Sequence, residues 1–214
     1  MNFKKLVIGS GIRMLSEGIT IGTWGNVSCR DTETGLVYLS PSGMPYKELK
    51  DDDIIVVKTD GTVVEGCRKP TIETSMHLAI YRSRPEINAV IHTHPIYSTA
   101  FSSMGEDIPL FLDEAAQVMG DVCRTAKYAL PGSEELAKNC VEALGSKSMT
   151  CLLQSHGAVC LGENMEQAFG ISTVLEATAQ IYSLIRSMGG KYLPISQENI
   201  AAMQYFVKHC YGQC

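Results

Sequence analysis

The chain has no excess of positive charge. Its 214 residues carry 18 lysines and arginines against 23 acidic side chains, a net charge of −5. A nucleic-acid partner usually leaves a basic footprint, so none is expected. There is also no uninterrupted apolar run of about 18 residues, so no membrane span is expected. The start, "MNFKKLVIGSGIRML", has two lysines, but Gly9, Ser10, Gly11 and Arg13 interrupt its apolar run, which argues against a signal peptide. Eight cysteines occur without a C-x-x-C pair or a regular spacing. They read as free thiols of a cytoplasmic protein rather than a disulfide or zinc framework. No Walker-type glycine loop is present. Histidine is scarce, at five residues, yet two of the five stand in three positions of "AVIHTHP" at 89–95.

Internal repeats and linkers are also missing, so residues 1–214 read as one domain. Helices are expected over 3–17, 73–83 and 96–104. Another follows Ser133, which is placed as an N-cap. A long one opens at the capping-box pattern Asn164 to Gln167 and runs to about Met188, and a last one begins near Ser196. Strands are expected at "LVYLS" (36–40), "DIIVVK" (53–58), "TVVEG" (62–66), "NAVIHTH" and "TCLLQ" (150–154). Asp60-Gly61 marks a hairpin between the second and third. Helices and strands mix without strict βαβ alternation. That pattern predicts an α/β sandwich whose sheet is largely antiparallel or mixed.

Residues two apart in a strand share a face, so His92 and His94 can converge on one ion; alternatively, they are unrelated and one is packed in the core. His156 stands just after another apolar strand, the same placement as His94. Three histidines with an open position suit a catalytic zinc-type site. Glu73, at the start of a helix, is either a helix-capping carboxylate or a fourth ligand and general base. His77 follows it by one turn and reads as a core histidine before a rival ligand. His209 is given no role. Three small-residue segments, "GTWGNVS" (22–28), "SPSGMP" (40–45) and "KPTIE" (69–73), are ordinary turn material that can also cradle a phosphate.

Taken in order, "GTWGNVS", "SPSGMPY", "KPTIETSMH", "AVIHTHP" and "LLQSHGAV" resemble the class II aldolase/adducin family over about Glu17 to Ala179. The resemblance implies a three-layer α/β/α sandwich around a central, mainly antiparallel (mixed) sheet. It implies one Zn2+ per subunit on His92, His94 and His156, with Glu73 as the resting fourth ligand and then the acid/base. It assigns the substrate phosphate to Gly25, Asn26, Ser42, Gly43, Thr71 and Ile72. It places Tyr211, through the Tyr-Gly pair, in a neighbouring subunit's site, and so implies a homotetramer with active sites at subunit interfaces. The implied activity is cleavage of a (deoxy)ketose 1-phosphate, such as L-fuculose 1-phosphate, to dihydroxyacetone phosphate and L-lactaldehyde through a metal-stabilised enediolate. A ribulose 5-phosphate 4-epimerase, a 5-methylthioribulose 1-phosphate dehydratase and a non-catalytic adducin-like head are the alternatives. Two positions depart from the aldolase pattern. Asp113 stands near the place of a tyrosine after Ile108-Pro109 and is carried as a catalytic candidate. Ile72 replaces a serine in the phosphate set. Tyr128 is a further candidate for the aldehyde end.

Overall fold

Alternation along one strand divides the core in two. A computed structural model describes residues 1–211. In β5 (Ala89–Thr93), Ala89 and Ile91 join one apolar cluster, while Val90 joins the opposite one. Successive strand side chains point to opposite faces, so a strand buried on both sides must feed two cores. The partners of β5 are β1 (Asn26–Arg30) and β8 (Gly157–Gly162), both antiparallel to it. Beyond β1 lie β2 (Val37–Leu39), β3 (Ile55–Val57) and β4 (Val63–Glu65). Beyond β8 lie β7 (Thr150–Leu153) and β6 (Arg124–Ala126). The eight-stranded order is β4-β3-β2-β1-β5-β8-β7-β6. Among the described residues only the β6–β7 pair is parallel; α5 (Glu134–Leu144) makes the crossover that such a pair needs.

One face carries α2 (Thr74–Ser83) and α5, whose Met76, Ile80 and Leu136 pack on Val90, Leu153 and Val159. The other carries α1 (Phe3–Ser16), α3 (Ile96–Met104), α4 (Asp113–Val118) and α6 (Met165–Ser187), contributing Met14, Phe101, Ala116 and Phe169. The expected three-layer sandwich with a mainly antiparallel, mixed sheet is therefore the observed one. By length and composition alone α6 would pass for a membrane span, although Glu166 and Glu176 interrupt its apolar run. Here its Phe169, Ile171 and Leu175 are buried in the core. The last helix, α7 (Gln197–His209), is tied to the rest by Gln204, whose side-chain amide donates to the carbonyls of Ala116 and Gly120.

Several local signals act as expected. Ser133 accepts from the Leu136 N–H at 3.1 Å. Asn164 accepts from the Gln167 N–H at 2.9 Å, but the Gln167 side chain returns to Glu163, one residue before the cap. Asp60-Gly61 joins β3 to β4, with Gly61 at φ +92°. Four elements differ from expectation. The Asn26–Ser28 stretch, read as a loop, opens β1, because its polar side chains face the interior of the site rather than solvent. Strand β8 follows His156 immediately. The short elements β6 and α4 carry too few residues for a periodic signal. Cys29, Cys67, Cys123, Cys140, Cys151, Cys160 and Cys210 are unpaired; Cys214 and Gly212 lie outside the described residues.

Candidate active site

His92 is fully buried on the α2 side of β5. Its Nδ1 lies 3.0 Å from the carbonyl oxygen of Ala158 on the paired strand. A carbonyl only accepts, so Nδ1 carries the proton and Nε2 presents a lone pair. Around that lone pair stand His94 Nε2 at 3.0 Å, His156 Nε2 at 3.3 Å and Glu73 Oε2 at 3.2 Å. The other oxygen, Glu73 Oε1, is 3.5 Å from His156 Nε2 and has no hydrogen-bond partner among the described residues. Burial lowers the pKa of His92, His94 and His156 to about 4, so all three are neutral at neutral pH. A neutral His92 cannot form an ion pair with Glu73. The His92 lone pair, the Glu73 oxygens and the Nε2 atoms of two further neutral imidazoles therefore converge on one point. A divalent cation fits that arrangement, and the three imidazoles can hold one metal ion.

The local sequence brings these groups together. Pro95 ends β5 and becomes the N-cap of α3. The turn from β7 to β8 carries His156 back beside the end of β5, with Ser155 at φ +56°. Gly157 lets the rings close up: a β-carbon there would lie 2.4 Å from the Thr93 carbonyl oxygen and 2.9 Å from His94 Cδ2. Gly25, at φ +79°, lets the β1 loop approach the His92 carbonyl in the same way, at 2.6 Å from an ideal β-carbon. Glu73 occupies the N-cap position of α2 but makes no capping hydrogen bond with its side chain. The carboxylate turns inward and accepts from Asn26 Nδ2 at 2.7 Å.

Glu73 and the three histidines line a cleft of about 330 Å³. Gly25, Asn26, Ser42, Gly43, Thr71 and Ile72 line the same cleft, so the six expected phosphate positions meet there. The Asn26 amide is already engaged at both atoms, with Glu73 and with His77. Thr23, Trp24, Pro41 and Pro131 also line the cleft and were not singled out from the sequence. The sole tryptophan, between Thr23 and Gly25, was the one available signal; its ring stands edge-on to His94, centroids 6.1 Å apart. Pro131 gave no signal. Asp113 is exposed as the first residue of α4, and Tyr128 and Tyr211 are exposed. None of the three lines the cleft within one chain. His77 is a buried histidine with two hydrogen-bond partners and does not join the metal-type cluster.

A histidine triad and a buried carboxylate at the end of the central strands together form a site suited to a metal-dependent enzyme. The family model for the Class II Aldolase and Adducin N-terminal domain matches residues 6–183, and the chain belongs to this family. It is 38% identical over 197 residues to a 5-deoxy-D-ribulose 1-phosphate aldolase of Bacillus thuringiensis serovar kurstaki, covering 91% of this chain and 92% of that protein. Identity to an L-ribulose-5-phosphate 4-epimerase of Salmonella paratyphi B is 34% over 202 residues, or 90% and 89% of the two chains. Among solved structures, an L-fuculose 1-phosphate aldolase superposes with a TM-score of 0.92 at 35% identity, covering 96% of each chain.

Proposed function

We propose that this chain is a zinc-dependent aldolase that cleaves a deoxyketose 1-phosphate to dihydroxyacetone phosphate and a short aldehyde. One observation carries the reading: Glu73, with one oxygen unpartnered, faces three neutral histidine nitrogens inside a cleft rimmed by small-residue loops. The 38% identity to a 5-deoxy-D-ribulose 1-phosphate aldolase supports a five-carbon substrate, and the L-fuculose 1-phosphate aldolase match supports a six-carbon one. His92, His94, His156 and Glu73 would hold the ion, and nitrogen-rich ligation of this kind suits zinc. When bound, the ion supplies Lewis acidity toward the ketose oxygens.

The chain's own groups divide the remaining work. Gly25, Gly43 and Ile72 hold the phosphate end with backbone N–H groups and Ser42 and Thr71 with their hydroxyls, while Asn26, its amide engaged with Glu73 and His77, lines the same end. The C3–C4 bond breaks and its electron pair passes to the dihydroxyacetone phosphate half. Glu73 delivers the proton to C3 and removes it in the reverse direction. The C4 hydroxyl proton needs a base at the aldehyde end. We assign that task to Asp113 or Tyr211 of a second copy in a homotetramer, because neither residue lines the cleft of its own chain. The exposed aromatics Tyr205, Phe206 and Tyr211 support a packed C-terminal face.

Incubation with 5-deoxy-D-ribulose 1-phosphate or L-fuculose 1-phosphate, followed by measurement of dihydroxyacetone phosphate, tests the reading. Release from neither would overturn it. The second reading, pentose phosphate 4-epimerisation, is favoured by the 34% identity to the epimerase. Epimerisation of L-ribulose 5-phosphate without cleavage of either ketose 1-phosphate would establish it.

A further inference from the structure

Beneath the site runs a buried chain of hydrogen bonds that metal ligation does not use. Asn26 Nδ2 donates to Glu73 Oε2 at 2.7 Å, and Asn26 Oδ1 meets His77 Nε2 at 2.5 Å. His77 Nδ1 meets Ser28 Oγ at 2.7 Å, and Ser28 Oγ meets Tyr81 Oη at 2.8 Å. Ser28 and His77 are fully buried, and Tyr81 and Asn26 nearly so. Each donor can be assigned from the carboxylate inward. A carboxylate only accepts, so the amide nitrogen of Asn26 must face Glu73 and its carbonyl must face His77. His77 then carries its proton on Nε2 and presents a lone pair at Nδ1. Ser28 must donate to that lone pair, which leaves its oxygen to accept from Tyr81. Every member has one role and each contact has a single proton. Burial holds the His77 pKa down to about 3 and pushes the Tyr81 phenol well above its ordinary value. Both therefore keep these proton states through the physiological range.

We propose that His77 is a positioning residue: its Nε2–H donates to Asn26 Oδ1 and so keeps the amide nitrogen on Oε2 of Glu73, leaving Oε1 free, while the Ser28 and Tyr81 hydroxyls hold the ring from its far side. The effect is to make the two carboxylate oxygens inequivalent. A flipped Asn26 would present its carbonyl to a carboxylate, and a His77 tautomer with its proton on Nδ1 would permit that flip. Glu73 would then lose its anchor at the moment when it must hold or release a proton. The inference rests on the proposed role of Glu73, and its test is built to fail separately from that role.

The tautomer is read in unmodified protein labelled with 15N-histidine, from two-bond 15N–1H correlations, with the His77 ring assigned by its loss in His77→Gln. The expected state is a single Nε2–H tautomer; an Nδ1–H tautomer overturns the relay whatever the substrate proves to be. In Ser28→Ala, a small change in volume, His77 keeps its Nε2–H tautomer through Asn26 but loses the partner of Nδ1, so kcat should fall with KM nearly unchanged; an unchanged kcat refutes the part given to Ser28 in holding the ring. In zinc-saturated His77→Leu, kcat should drop about 10- to 100-fold with KM nearly unchanged, as for other residues that orient a metal ligand. His77→Gln, whose side-chain amide donates near the position of Nε2–H, should recover most of that loss. Equal loss in both variants, or loss expressed in KM, assigns His77 a purely structural part and overturns the proposal. If the unmodified enzyme cleaves no ketose 1-phosphate, the proposed function falls while the tautomer measurement still decides the relay.

Discussion

Gly157 and His94 are in contact at a distance that only a hydrogen atom permits. A β-carbon on Gly157 would sit 2.9 Å from His94 Cδ2 and 2.4 Å from the Thr93 carbonyl oxygen. Gly157→Ala should therefore move the His94 ring or open the β5–β8 pairing. The expected loss is about 1–3 kcal/mol of stability from overpacking, and zinc affinity should fall about 10- to 100-fold. Zinc titration calorimetry and denaturant unfolding measure the two effects. Unchanged affinity would show that the turn relaxes without disturbing the ligands.

The metal assignment predicts about one divalent ion per chain in purified protein. His92→Ala should lose most of it, since His92 is central to the cluster. Glu73→Gln should keep the fold and much of the metal but lose turnover by about 100-fold or more, as expected when a general acid/base is removed. Elemental analysis alongside the cleavage rate checks both. Full occupancy in His92→Ala would remove that histidine from the ligand set.

The buried imidazoles also predict the sign of the pH dependence in metal-free protein. The pKa of His77 is lowered to about 3 and that of His92 to about 4, from 6.5. As pH falls below 6.5 the unfolded chain takes up protons that the folded chain refuses. The stability from these groups is thus full above 6.5 and is lost as pH falls toward 4 and then 3. The urea midpoint should be lower at pH 5 than at pH 7. His77→Gln should flatten part of that slope, and an identical slope would contradict the assignment to His77.

Ile72 offers a direct test of the phosphate end. The residue is 62% exposed within the cleft lining, so replacement should leave the fold intact. Ile72→Ser should lower KM for a ketose 1-phosphate about 2- to 10-fold, the range of one added hydrogen bond of about 0.5–1.5 kcal/mol. Steady-state kinetics decides the matter, and a change confined to kcat would place Ile72 away from the phosphate.

Much of this architecture was legible in the sequence because its signals are local. The Ser133 cap, the Asp60-Gly61 turn and the Pro95 strand end each need only a few neighbouring residues. The grouping of His92, His94 and His156 was legible because strand geometry and the shared placement at strand ends point the same way. Strand β1 was not, since Asn26 and Ser28 are polar residues turned into the protein, and a polarity pattern reads such residues as a loop. The part His77 plays was hidden for a related reason. Its spacing from Glu73 showed one turn of helix, whereas its partners Ser28 and Asn26 come from a strand about fifty residues earlier. The partner of Asp113 in catalysis is not local to its own chain in the proposed reading, so no spacing along the sequence could reveal it.

The antiparallel pairing of β5 with β8 joins segments more than sixty residues apart, with His92 opposite Val159. His92 and His94 are near neighbours in any conformation of the chain, but His156 joins them only when that distant pairing closes. Closing it carries a loop-entropy cost. An ion that needs all three histidines therefore has little hold on the unfolded chain, so its binding energy is available almost entirely to the finished fold. Metal uptake during refolding would then time the completion of the sheet, and a chelator would act on the lifetime of the native state rather than on its formation.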